Sequence, residues 1–348
     1  MKILLDCERM KYPNTGLYHL CLHLGKALQE EAHDDTMYFY TPASVKGCFG
    51  DAAHYVTQRS LDKFMLPSIK GLDVWHCNFQ GSNYYPFRKK VKKVFTVHDI
   101  NFMYDDNLSP EKKETYRLRI KEKIDNSDHI TTISRFGLDE VKRVIGIGNK
   151  PATVVYCGCN FDKVIIGASP AYQPRSPFLF TIGTIVDKKN MHVLPALLKN
   201  NDYELVIAGI TLNESYKQKI IDEATRWGVL NRVIFAGAIS ESDKQWYMQH
   251  CEAFVFPSLA EGFGLPVVEA MYFGKPVLIS TLSSLPEVGG DVAYYFTDFE
   301  PEHMQRVLAD SLQHYADTKP MEAIKARAKS FSWQAAAGQL LGVYHSLV

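Results

Sequence analysis

Short runs of β-branched and aromatic residues alternate with amphipathic stretches from one end of this chain to the other. That order limits the fold more than any other feature, because strands joined through helices of this length must run parallel. In the first half, residues 2–6, 37–41, 74–77, 94–98, 129–134 and 153–156 fit as strands. A helix fits residues 15–31, and another opens at Ser109-Pro110, a cap followed by proline in the first turn. The alternation lapses at GASPAYQPRSP, residues 167–177, where three prolines mark an expected interdomain linker. It resumes with strand candidates at 178–182, 203–208, 233–236, 253–256 and 277–280.

A chain of 348 residues exceeds what one core usually supports. The expectation is therefore an α/β protein of two doubly wound, Rossmann-like domains, 1–168 and 177–330, whose parallel sheets face each other across a cleft. An amphipathic tail, 331–348, would cross back onto the first domain. In such sheets ligands sit outside the carboxyl ends of the strands.

Zero net charge argues against a general nucleic-acid binder, but the balance is uneven. Residues 1–170 hold 24 Lys and Arg against 20 Asp and Glu, and the remainder holds 15 against 19. Arg88-Lys89-Lys90-Val91-Lys92-Lys93 packs five cations into six residues, which suits either a solvated face or contact with an anionic membrane or a lipid-diphosphate acceptor. No apolar run reaches the roughly 20 residues of a membrane span, and MKILLDCERM lacks a signal core, so a cytoplasmic protein, peripheral at most to the inner face of the membrane, is expected. Seven scattered cysteines read as reduced thiols, with Cys157 and Cys159 as small buried residues at a strand end.

The chemistry concentrates in CEAFVFPSLAEGFGLPVVEAMYFG. A strand ends at Pro257-Ser258, a glycine-rich turn follows, and Pro266 opens a helix. Gly262 and Gly264 would let a ligand approach the backbone, and the amides of Phe263, Gly264 and Leu265 would lie at the positive end of that helix, where an anion or sugar hydroxyls fit. Glu269 is the only charge in residues 265–274, so its helix should be buried and its carboxylate should have a fixed partner. A vicinal diol such as a ribose offers two donors; the plain alternative is a carboxylate favoured by the helix dipole. Glu261 precedes the helix and should face the ligand nearer the anion.

The stretch PSLAEGFGLPVVEAMYFGKPVLIS, followed by SSLPEVGGDVAYYF, resembles the signature region of the family 4 retaining glycosyltransferases of the GT-B fold. That family carries two glutamates separated by seven residues, matched here by Glu261 and Glu269 around an intact GFGLP. LFTIGTIVDKKNMHVL resembles its diphosphate-binding strand and basic loop, FTVHDINF its His-Asp segment, HITTISRFGLDEV and TVVYCGCNFD the approach to the hinge, and FSW the closing helix. The resemblance implies that Glu261 binds hydroxyls of the transferred sugar, Glu269 the ribose, and the backbone of Gly262, Phe263, Gly264 and Leu265 the sugar and phosphate. It implies that Lys189, with Lys188 beside it, neutralises the leaving diphosphate, that His98 approaches the sugar, and that Gly16 borders diphosphate and acceptor. Three departures stand out. Thr184 replaces an arginine common after the glycine matching Gly183, Lys188 stands where arginine is frequent, and Cys159-Asn160 replaces the usual hinge pair. A lysine lacks the bidentate grip of arginine.

No Asp-x-Asp clamp or acidic/His cluster is apparent, so metal-independent transfer with no cofactor beyond the nucleotide-sugar co-substrate is expected. With no evident enzymic nucleophile, retention would follow front-face attack. The resemblance leans toward a mannosyltransferase using GDP-mannose, with UDP-sugars as the alternative, and toward a saccharide or lipid-linked saccharide acceptor in surface polysaccharide synthesis. Three other readings compete: a glycoside hydrolase or phosphorylase using both glutamates, a dinucleotide oxidoreductase, and a non-catalytic sugar-nucleotide-binding subunit. The start of a helix between the glutamates disfavours opposed acid and nucleophile roles. No Gly-x-Gly-x-x-Gly follows the first strand, which disfavours the oxidoreductase.

Overall fold

The computed structural model describes residues 1–13, 15–105, 107–161, 165, 167 and 169–348. Asp106, Asp162 of TVVYCGCNFD and Ala168 at the expected domain boundary lie outside the described residues. The chain forms two compact units, residues 1–160 with 331–348, and residues 161–330.

The first unit holds seven strands: β1 (Lys2–Asp6), β2 (Thr36–Thr41), β3 (His54–Thr57), β4 (Val74–Cys77), β5 (Lys92–Val97), β6 (His129–Thr132) and β7 (Ala152–Val154). All pair in parallel, in the order β3-β2-β1-β4-β5-β6-β7. The order reverses between β1 and β4, so the loops leaving these two strands flank an opening at the carboxyl end of the sheet. Helix Gly16–Glu31 begins there, its Thr15 hydroxyl accepting the Tyr18 amide at 3.3 Å.

The tail helix, Trp333–His345, belongs to this unit. Its Tyr344 hydroxyl meets His76 Nδ1 at 2.5 Å, His76 Nε2 meets the Thr96 hydroxyl at 2.6 Å, and Thr96 meets Thr131 at 2.6 Å, so a buried polar chain runs from the helix across β4, β5 and β6. The CGCN segment receives the start of this helix. A Cβ on Gly158 would lie 2.3 Å from the Trp333 nitrogen, the Cys159 amide donates to the Phe331 carbonyl at 3.1 Å, and Asn160 Oδ1 accepts from Trp333 Nε1 at 3.3 Å. Glycine is required at 158 by that close approach.

The second unit holds β8 (Phe178–Ile182), β9 (Glu204–Ala208), β10 (Val233–Gly237), β11 (Ala253–Phe256), β12 (Val277–Ser280) and β13 (Tyr294–Phe296), parallel in the order β10-β9-β8-β11-β12-β13. Its reversal lies between β8 and β11. The expected linker 167–177 falls within this unit, because buried Glu204 ties it down. Glu204 accepts the amides of Arg175 and Ser176 at 2.8 and 3.2 Å and the hydroxyl of Tyr172.

Two strands escape the sequence reading, β3 and β13, and both are sheet edges. Each is short and only partly buried, HYVT and YYF, so neither carries the continuous apolar run of an inner strand.

Candidate functional site

In the second unit, the loops leaving β8 and β11 meet at the topological reversal. The loop after β8 turns through Asp187–Lys189 and is closed by Asn190 in the left-handed conformation (φ 53°). Lys189 Nζ lies 2.5 Å from Glu261 Oε1, in the loop after β11, and 4.7 Å from the centre of the Phe256 ring. Ser258 Oγ also donates to Glu261 Oε1 at 2.5 Å.

The backbone joins the two loops as well. The Leu259 amide donates to the Lys188 carbonyl at 2.8 Å, while the Lys188 side chain is exposed. Behind them, Ser283 Oγ accepts the Glu261 amide at 3.0 Å, and Ser284 Oγ donates to the carbonyls of Glu261 and Phe263 at 3.1 and 2.9 Å. These hydroxyls fix a loop whose own residues make no regular structure. Gly183 borders Lys189, a Cβ there lying 3.2 Å from Lys189 Cε, and Thr184 follows it in the same loop.

Helix Leu265–Tyr272 starts as expected, with Pro266 in its first turn. Of the two glycines before it, Gly264 adopts a left-handed backbone (φ 108°) that strains any other residue, and a Cβ there would also press on Leu285 Cδ2 at 2.8 Å.

Glu269, 2% exposed, has the fixed partner its burial demands, and that partner is a protein side chain: Lys244 Nζ at 2.9 Å. Lys244 also pairs with Glu241 at 2.8 Å and lies 4.8 Å from the centre of the Phe161 ring. Burial pulls the Lys244 ammonium down, but Glu269 and Glu241 outweigh it and hold the group above its ordinary value. In sequence Lys244 looks like half of a surface pair with Glu241 three residues earlier. Its contact with Glu269, 25 residues on, leaves no local signal.

In the first unit, His98 follows β5, buried. Its Nε2 donates to the Asn78 carbonyl at 2.6 Å, so Nε2 carries the proton and Nδ1 keeps its lone pair. Nδ1 has no hydrogen-bond partner among the described residues. Burial, partly offset by the Asn78 carbonyl, holds His98 below the usual imidazole value, so the ring is neutral near pH 7.

Beside it lies Arg9, which sequence reading passed over, its guanidinium 4.7 and 4.6 Å from the ring centres of Tyr12 and Phe79 and its Nε also unpartnered among the described residues. Asp6, at the end of β1, accepts from Ser82 Oγ at 2.5 Å, and burial pushes its carboxyl up to about 7. Gly16 is the first residue of the helix after this loop.

Family models match both units. "Glycosyltransferase Family 4" covers residues 20–163 and "Glycosyl transferases group 1" covers residues 167–330. The chain belongs to the family 4 glycosyltransferases and has the GT-B fold. O-antigen chain mannosyltransferase B of Escherichia coli is 26% identical over 404 residues, covering 100% of both chains. Among solved structures, a glycosyltransferase from Rickettsia africae superposes with TM-score 0.76 at 14% identity, over 99% of this chain and 98% of that one. Anabaena HepE in complex with UDP and glucose superposes with TM-score 0.75 at 18% identity, over 99% and 100%. Among the described residues, no helix of this glycosyltransferase is long and apolar enough to cross a membrane.

Proposed function

We propose that this glycosyltransferase moves mannose from GDP-mannose, with retention of configuration and without a metal, to a saccharide or lipid-linked saccharide in surface polysaccharide synthesis. The observation that carries the reading is the Lys189–Glu261 pair at the β8/β11 reversal, a cation and a carboxylate held where a doubly wound sheet receives a phosphorylated ligand. A relative named as an O-antigen mannosyltransferase, matched along its whole length, supports the sugar and the pathway class. HepE, solved with UDP and glucose, supports a nucleotide-sugar donor.

In this mechanism the donor diphosphate competes with Glu261 for Lys189. The freed carboxylate accepts hydroxyls of the sugar, and the amides at 263–265 meet the sugar and phosphate. Glu269, aimed by Lys244, accepts the ribose hydroxyls. The anomeric carbon–oxygen bond to the diphosphate breaks as the acceptor oxygen attacks from the same face, and the departing phosphate oxygen takes the acceptor proton. Lys189 stabilises the charge that grows on the leaving group. We assign His98 a part in the reaction through Nδ1, Gly16 a place beside the diphosphate, and Thr184 and Lys188 the rim of the phosphate loop.

The test is transfer from GDP-mannose, UDP-glucose and ADP-glucose to a mannose-terminated acceptor in chelator. An α-linked mannose product from GDP-mannose alone is expected. A β-linked product, transfer only after metal is restored, or preference for UDP-glucose would each overturn its part of the reading.

A further inference from the structure

The three most exposed large hydrophobic side chains among the described residues, Leu61 (75%), Phe64 (88%) and Met65 (80%), all lie on one turn of the first unit. The turn, Ser60–Lys63 and the two residues after it, follows the edge strand β3. Its backbone is pinned. Buried Asp62 accepts the Tyr40 hydroxyl at 2.7 Å and the Arg59 amide at 2.9 Å, and the amides of Phe64 and Met65 donate to the Leu61 carbonyl at 3.0 and 3.2 Å. The apolar side chains are thus held out in water by a fixed scaffold.

The exposed charges along the turn have one sign. Arg59, Lys63 and Lys70 are exposed, and the only acid between 59 and 70 is the buried Asp62. Leu66 and Ile69, just beyond the turn, pack against a core cluster of Leu4, Tyr40, Trp75 and Tyr84, and so does Val91 from within the basic strip. The apolar turn and the exposed Arg88 and Lys90 therefore border the same cluster. A protruding apolar turn with cations beside it complements the hydrocarbon boundary and phosphates of an anionic bilayer.

We propose that the first unit docks on an anionic lipid surface, with Leu61, Phe64 and Met65 entering the headgroup region and the flanking cations meeting lipid phosphates. The docking rests on the reading above for its purpose, presenting a lipid-linked acceptor, and its measurement is independent of transfer. The full-length protein is sedimented with phosphatidylcholine vesicles containing or lacking 30% phosphatidylglycerol, alongside a Phe64→Ser/Met65→Ser variant and a Phe64→Trp reporter.

Binding to the anionic vesicles is expected, at least tenfold weaker to neutral ones and at least tenfold weaker for the double-serine variant, with blue-shifted Trp emission quenched by brominated lipid. Transfer to a soluble acceptor should be unchanged in that variant, which also verifies its fold. Wild-type protein that stays in the supernatant at low salt, a double-serine variant that binds as tightly as wild type, or a dimer in solution that the variant abolishes would each overturn the proposal. A protein that binds vesicles but transfers no sugar would refute the enzymatic reading alone.

Discussion

The two sheets reverse their strand order in the same way, and each reversal holds an ion pair, yet only the first adds a neutral histidine and a raised carboxyl. In the second unit the loops after β8 and β11 meet through a matched cation and carboxylate, Lys189 and Glu261, held by serine hydroxyls. In the first, β1 and β4 end among groups of mixed character: buried Glu8 pairs with Lys11 at 2.8 Å and accepts the Asn83 amide at 3.3 Å, while Asp6 is raised to about 7, His98 is held neutral, and Arg9 lies against rings. One topology offers a position, and the residues in the loops decide whether it stores charge or withholds it. A paired lysine can exchange its carboxylate for a diphosphate, whereas a neutral imidazole such as His98 suits a hydroxyl group.

The largest effect should come from beneath the charged reversal. Lys244→Met leaves Glu269 buried without its cation and is expected to destabilise the protein by about 3–5 kcal/mol in urea unfolding, with most of the loss recovered by adding Glu269→Leu. A loss below about 1 kcal/mol, the range of exposed ion pairs, would mean that this pair is only a surface contact. Lys189→Ala should cost less stability than Lys244→Met, because Glu261 is less buried than Glu269 and keeps the Ser258 hydrogen bond, and should lower kcat by about 10²–10³, as removal of one transition-state donor does. An unaltered kcat with a raised donor KM would make Lys189 a binding residue only.

A smaller effect sharpens the role of Glu269. Replacement by alanine would leave a void and take one of its two carboxylates from Lys244, so Glu269→Gln, which keeps an acceptor there, is the cleaner probe; it should weaken GDP binding by about 1–3 kcal/mol in calorimetry. Equal affinity would remove the carboxylate from ribose recognition.

The last contrast is in pH. Burial holds His76 at about 3 and His98 below its ordinary value, so both stay neutral when folded and take up protons when unfolded. Their contribution is intact above about pH 6.5 and falls as pH drops below it, by up to about 1.4 kcal/mol per pH unit for each histidine while its folded form stays neutral. Asp6 acts in the other direction. Its raised value favours the folded state between about pH 4 and 7, offsetting part of the loss on acidification. Hydrogen exchange, corrected for intrinsic rates, should therefore show β4 and β5 amides losing more protection than β11 and β12 amides between pH 6.5 and 5. Equal losses would mean that the neutral groups of the first unit do not govern its stability.

Much of this was legible in the sequence because inner parallel strands and helix starts are written locally. AFVF, the turn with Gly264, and Pro266 specify a strand, a tight turn and a helix in sequence order. The edge strands HYVT and YYF are only partly buried and so carry a weaker signal. Burial of Glu269 could be read from its apolar neighbours, and the need for a partner followed from electrostatics. Naming Lys244 required knowing which face of helix Glu241–His250 lies over the helix bearing Glu269, and that is set by packing across the unit. Ser258 and Ser283 escaped for the same reason: a serine in a loop gives no sign of what its hydroxyl will hold.

The attachment of Trp333–His345 to the first unit has a consequence for synthesis. Residues 161–330 can close their sheet as soon as they leave the ribosome, whereas the unit begun earlier must wait for the Tyr344–His76 contact. The half translated first is thus the half finished last, and until Trp333–His345 emerges the His76 end of its buried polar chain lacks its partner.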